Sequence, residues 1–155
     1  QRKYNIMVLG PTTLSVFLQS LHMGFDTLQV QVRSKKIYED LQKLWTNYKD
    51  KGLVVIGVPS NNFRQEPGSN KEIKDFCESS FGIDFPITEK TDVIGDNAHP
   101  FFLWAKQNYG SSAVPKWNFH KIIIGKNGKV AETFASVTSP SSSKFISVIE
   151  KELKN

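Results

Sequence analysis

The single cysteine, Cys77, is the one side chain in this sequence with thiol chemistry. Alone it can form no disulfide within the chain and no multi-cysteine zinc site. His22, His99 and His120 lie far apart and show no metal-ligand spacing, so each reads as a surface or packing histidine. There is no G-x-G-x-x-G, no P-loop and no H-E-x-x-H, and the acidic residues single out no glycosidase-type pair. Two stretches are richer in aromatic, amide and turn residues than connecting loops require: "VVIGVPSNNFRQEPGSNKEIKDFC" (54–77) and "VPKWNFHKIIIGKNGKV" (114–130). Read by residue type alone, Trp117 is a core aromatic, and Asn62 and Asn118 are turn formers. Cys77 is a buried, inert helix cysteine or a reactive thiol.

The elements that must position these residues follow from periodicity. From Lys36 to Asp50, Ile37, Leu41, Leu44, Trp45 and Tyr48 keep one helical face apolar. "KGLVVIGVP" predicts a strand over Leu53 to Val58, apolar almost throughout, as suits a central strand covered on both faces. The loop after it is broken by Pro, Gly and Asn. Ser69 and Glu72 form an S-x-x-E capping box, so a helix starts near Asn70 and carries Ile73, Phe76 and Cys77 on one side. A short strand is expected at Phe85 to Ile87, then a helix with Pro100 in its first turn. Two β-rich runs joined through Asn127-Gly128 predict a hairpin. A last amphipathic helix turns Phe145, Ile146, Ile149 and Leu153 inward. Helices alternating with strands imply an α/β sheet with helices on both faces.

Composition bounds the function. The 155 residues, 39% hydrophobic, suit one domain. The net charge of +5 is spread over 20 basic and 15 acidic residues without a basic block, so no nucleic-acid partner is expected. No apolar run reaches the roughly 18 residues of a membrane span. Arg2 and Lys3 before the stretch Ile6–Leu18 loosely imitate a signal peptide, but no A-x-A site follows and Pro11 interrupts it. One cysteine fits a reducing compartment, and the expected location is cytoplasmic.

The two dense stretches, with "DFPITEK" and "DNAHPFFLWAK", resemble the glutathione peroxidase family of thiol and selenol peroxidases. The resemblance runs from about Tyr38 to Leu153 and rests on N-x-F-x-Q-E-P-G and W-N-F in that order. It implies a thioredoxin-like fold, no bound cofactor, a hydroperoxide substrate and thioredoxin or glutathione as reducing co-substrate. The chemistry it implies is attack of a thiolate on the O–O bond, giving a sulfenic acid that thiols restore. Carried over by motif, Trp117 and Asn118 supply polar donors of the site. Asn62 stands where many members have Gln, one methylene shorter. Cys77 resembles the resolving cysteine of two-cysteine members. The short link from "WAKQNYGSSAVPK" to W-N-F resembles the monomeric, thioredoxin-preferring branch.

The family's reactive residue sits in T-A-S-x-C-G-x-T-x-Q-Y, six residues before the tyrosine. Counting back from Tyr38 gives Val32, followed by Arg33 where the family has glycine. Valine has no nucleophilic atom, and Ser34 is a poor substitute because an alcohol is scarcely ionised at neutral pH. The chain as written is therefore expected to be inactive as a peroxidase. The alternative function is a non-catalytic thioredoxin-fold interaction or redox-sensing module. Codons permitted for Gln31–Ser34, read one base later, allow Lys-Cys-Gly. Those for Thr27–Val30, read from the last base of the Thr27 codon, allow Thr-Ala-Ser. Small insertions or deletions before Tyr38 would thus restore T-A-S-K-C-G. The chain is read as one domain, 1–155, with a divergent segment 1–35 that is expected to be the least regular part.

Overall fold

In the computed structural model, which describes residues 33–154 except 65 and 67, the expected amphipathic helix runs over 33–48 (α1). It tightens into a 3₁₀ turn at Lys49–Lys51 and stops at Gly52, whose φ of 98° suits glycine. The chain divides into two units, Gln1–Lys36 and Ile37–Asn155. The expectations placed on Ile6–Leu18, His22 and Val32 lie outside the described residues.

The run from Leu53 to Val58 departs from the strand expected there. Its pairing among the described residues is one parallel bridge, Gly57 to Ile87. The Gly57 N–H donates to the Pro86 carbonyl at 2.8 Å, and the Thr88 N–H donates to the Gly57 carbonyl at 2.9 Å. The expected strand at Phe85–Ile87 is reduced to the same bridge. Nor is the run covered on both faces: Leu53 and Val55 pack on the core, while Val54, Ile56 and Val58 are 65%, 57% and 39% exposed. Hydrophobicity shows what a strand would bury, but cover and pairing come from other elements. Among the described residues only one face receives them.

The next helix, Asn70–Phe81 (α2), starts where the capping box places it. The Ser69 hydroxyl accepts from the Glu72 N–H at 3.3 Å, and the Ser69 N–H donates to the Glu72 carboxylate at 2.8 Å. Ile73 and Cys77 are buried, but Phe76 is 57% exposed. The expected apolar side is narrower because Phe76 lies off the Ile73–Cys77 line and reaches the rim, edge-on to Phe81. The helix Pro100–Tyr109 (α3) carries proline at its N-terminus, and His99 Nδ1 accepts from the Phe101 N–H. Strands Lys121–Ile124 (β1) and Val130–Phe134 (β2) form the antiparallel hairpin, with an irregularity between Ile123 and Ile124. The helix Ser143–Lys154 (α4) follows, with Phe145 and Ile149 buried and Ile146 and Leu153 packed beside them.

Two apolar clusters form the core. Leu44, Ile123, Phe134, Phe145 and Ile149 make one, joining α1, the hairpin and α4. Ile73, Cys77, Ile83 and Phe85 make the other, with Tyr38, Leu41 and Trp45 packed against it. Val55 touches both. Asp40, a buried carboxylate on α1, accepts from the hydroxyls of Ser139 at 3.0 Å and Ser141 at 2.9 Å and so fastens the approach to α4.

Candidate functional site

Asn62 stands in the loop after the 53–58 run. Its side-chain carbonyl accepts from the Ser60 hydroxyl at 2.8 Å and from the Val93 N–H at 2.7 Å, and its amide donates to Asp92 Oδ1 at 2.9 Å. The side chain thereby fastens this loop to residues 92–93. Beside it Arg64 adopts a left-handed φ of 56°, closed by its N–H on the Asn61 carbonyl. Lys90 holds the following turn, donating to the Gly68 carbonyl at 2.6 Å.

Trp117 is 53% exposed, so it is not a core aromatic. Its ring meets that of Phe63 at 5.7 Å between centroids, inclined by 45°. This contact brings the loop of Asn62 against the W-N-F turn. Asn118, next in chain, is half-buried. Phe119 takes a left-handed φ of 58°, rare for an aromatic residue, and its ring lies edge-on to Tyr38 at 5.1 Å. The fourth W-N-F neighbour, His120, has a buried Nε2 without a partner among the described residues. Burial, with Lys121 and Lys116 nearby, holds its imidazole below the ordinary range. Burial likewise pushes the Lys121 ammonium down to about 8, although it donates to the Thr138 carbonyl at 2.7 Å.

Cys77 is buried on α2, and its thiol is raised above the ordinary range. Burial is the main cause; Glu66 and Glu78 add to it, and a hydrogen bond from Tyr38 opposes it. Burial also raises the Tyr38 phenol and the Glu66 carboxyl. The buried-cysteine reading therefore describes the thiol's surroundings: Cys77 is kept protonated at neutral pH. Tyr38, Phe63, Asp92 and Phe119 were not read from sequence as site residues. Tyr38 had a signal, since it stands three residues before Leu41 and seven before Trp45 on the apolar stripe of α1. Asp92 had none, because its role depends on a loop 30 residues away. Val32, expected from the motif count to stand at the peroxidatic position, lies outside the described residues. Among those described, no group of three or more His, Cys, Asp or Glu is placed to hold a metal ion, and no helix is long and apolar enough to cross a membrane.

These elements are those of a thioredoxin-like α/β fold, carrying an aromatic and amide cluster together with a buried thiol. A solved structure described as "Crystal structure of Trgpx in apo form" matches with a TM-score of 0.57 at 30% identity, over 81% of this chain and 72% of that one. The family described as "Glutathione peroxidase" matches residues 20–106. Glutathione peroxidase-like peroxiredoxin 2 of Saccharomyces cerevisiae is 43% identical over 110 residues, 68% of this chain and 67% of that protein. The glutathione peroxidase homolog BsaA of Halalkalibacterium halodurans is 46% identical over 106 residues, 66% of this chain and 68% of the relative. The hydroperoxy fatty acid reductase gpx1 of Synechocystis is 40% identical over 112 residues, 66% of each chain. The chain belongs to the glutathione peroxidase family, whose members use thiol reductants as co-substrates.

Proposed function

We propose that this chain is a thiol peroxidase domain of that family, spanning 1–155, built to reduce hydrogen peroxide or organic hydroperoxides. A peroxidatic thiolate at position 32 would attack the O–O bond. Sulfur would take one oxygen as a sulfenic acid, and the alcohol or water would leave with a proton. Asn62, Trp117 and Asn118 would form the polar surround, and Cys77 would displace hydroxide from the sulfenic sulfur to close a disulfide. The observation that carries this reading is the Phe63–Trp117 contact, which joins the two motif loops although 54 positions separate them. With Val32 in place the first step has no nucleophile, and the chain as written does not turn over. The reductant is thioredoxin in preference to glutathione, the state monomeric and the location cytoplasmic.

The buried Cys77 favours a second reading, a non-catalytic thioredoxin-fold module that senses oxidation or docks a partner. A peroxide-consumption assay with thioredoxin and with glutathione separates the two. No turnover with either is expected of this chain. Turnover in the unaltered chain would overturn the assignment of position 32 as the peroxidatic site.

A further inference from the structure

The Asn62 side chain is gripped at both ends, and the two grips have opposite polarity. Its carbonyl oxygen accepts from the Val93 N–H at 2.7 Å and from the Ser60 hydroxyl at 2.8 Å, while its amide nitrogen donates to Asp92 Oδ1 at 2.9 Å. A backbone N–H can only donate and a carboxylate can only accept, so turning the amide over would set oxygen against oxygen and N–H against N–H. Both lone pairs of the amide oxygen are taken, and one of the two N–H groups is left without a partner among the described residues. Asp92 is itself fixed from the far side: its main-chain carbonyl accepts from the N–H of His99, the N-cap of α3, at 2.8 Å. The Thr91 N–H donates to the Pro59 carbonyl at 3.0 Å, so the two backbones beside this clasp are joined as well. Asn61, one residue earlier, uses its amide oxygen within its own loop, accepting from the Glu66 N–H at 3.2 Å. One residue later, Phe63 meets Trp117 and brings the loop against the W-N-F turn.

We propose that Asp92 is a positioning residue of the candidate site: together with the Val93 N–H it fixes the Asn62 amide so that Asn62 offers one N–H and no free acceptor. A group of that polarity suits an electron-rich atom, a thiolate or a peroxide oxygen, and offers nothing to a hydrogen-bond donor. The use of that N–H in peroxide reduction rests on the peroxidase reading, but the orientation of the amide does not.

NMR of the isotopically labelled full chain follows the Asn62 side-chain amide, whose pair of signals is identified by its loss in Asn62→Ala. The proton bonded to Asp92 should exchange with solvent about tenfold faster in Asp92→Ala, as for loss of a hydrogen bond to a charged group. Asp92→Asn keeps an accepting oxygen without the charge, so its rate should fall between those of wild type and Asp92→Ala. Equal exchange in wild type and Asp92→Ala overturns the proposal. Should Asp92→Ala fail to fold, wild type is compared with Asp92→Asn, and equal exchange in those two overturns it. In the double variant Val32→Cys with Arg33→Gly, adding Asp92→Ala should lower kcat/KM for hydrogen peroxide about tenfold and leave the KM for thioredoxin unchanged. Adding Asp92→Asn instead should recover most of that loss. An unchanged kcat/KM for Asp92→Ala in a chain that turns over overturns the positioning role. The peroxidase reading is scored separately, by whether the double variant turns over with Asp92 intact. No turnover there removes that reading and leaves the orientation of Asn62 standing on the exchange result.

Discussion

At the residue scale, Asn62 and His120 show how much a side chain's meaning depends on its partners. Asn62 makes three short hydrogen bonds, all to its own chain. At about 1 kcal/mol each, Asn62→Ala should lower the unfolding free energy by about 2–3 kcal/mol, measured by urea titration. A loss under about 0.5 kcal/mol would mean the amide does not hold these loops together. His120 gives a pH prediction. Burial, then Lys121 and Lys116, lower its folded value below the unfolded 6.5, so as pH falls the unfolded chain takes up the proton first. The stability due to neutral His120 is therefore present above about 6.5 and lost as pH falls through that value. Wild type should lose more stability than His120→Gln between about pH 7 and 5; parallel curves would show that His120 is not the group responsible. Asn62, Trp117 and Cys77 could be singled out from sequence because residue type and order are written there. Asp92 could not be given its role, because a hydrogen bond across distant segments leaves no local mark.

At the element scale, the helices and the hairpin were legible because their signals are local. The Ser69–Glu72 box, Pro100 and the Asn127-Gly128 turn each act within a few residues, and each element begins or reverses where expected. Ser69→Ala removes the acceptor for the Glu72 N–H and should cost about 1 kcal/mol. The first turn of α2 should then exchange its amide hydrogens faster than in wild type, while α4, whose start is held by the Phe145 N–H donating to the Ser142 hydroxyl, keeps its wild-type protection. Equal protection in the variant would show that the box does not govern the helix start. The strands expected at 53–58 and 85–87 shrink to one bridge among the described residues for the opposite reason. A ladder is a property of two segments, and an apolar run such as "LVVIGV" does not say which faces will be covered. Phe76 is a smaller instance, a helix residue assigned inward that stands 57% exposed at the rim.

At the scale of the whole molecule, two apolar clusters meet at Val55, and Phe119 of the W-N-F turn rests on Tyr38 beside one of them. If this scaffold retains the parent architecture, Val32→Cys with Arg33→Gly should raise thioredoxin-dependent peroxide consumption from no turnover to a measurable catalysed rate. A folded double variant that stays inactive would show that the segment before Tyr38 differs by more than those two residues. Sequencing the gene around codons 26–38 checks the same point, since codons incompatible with TGC in the shifted frame exclude a lost cysteine. The sequence by itself determined the helices, the hairpin and the family, because caps, turns and ordered motifs are local or linear features. It also determined that position 32 carries no nucleophile. Only the tertiary structure decided that Phe63 meets Trp117, that the Asn62 amide is bound to Ser60, Asp92 and Val93, and that the Tyr38 ring meets Phe81 and Phe119. Those contacts arise between residues far apart in the chain, and packing alone brings them within reach.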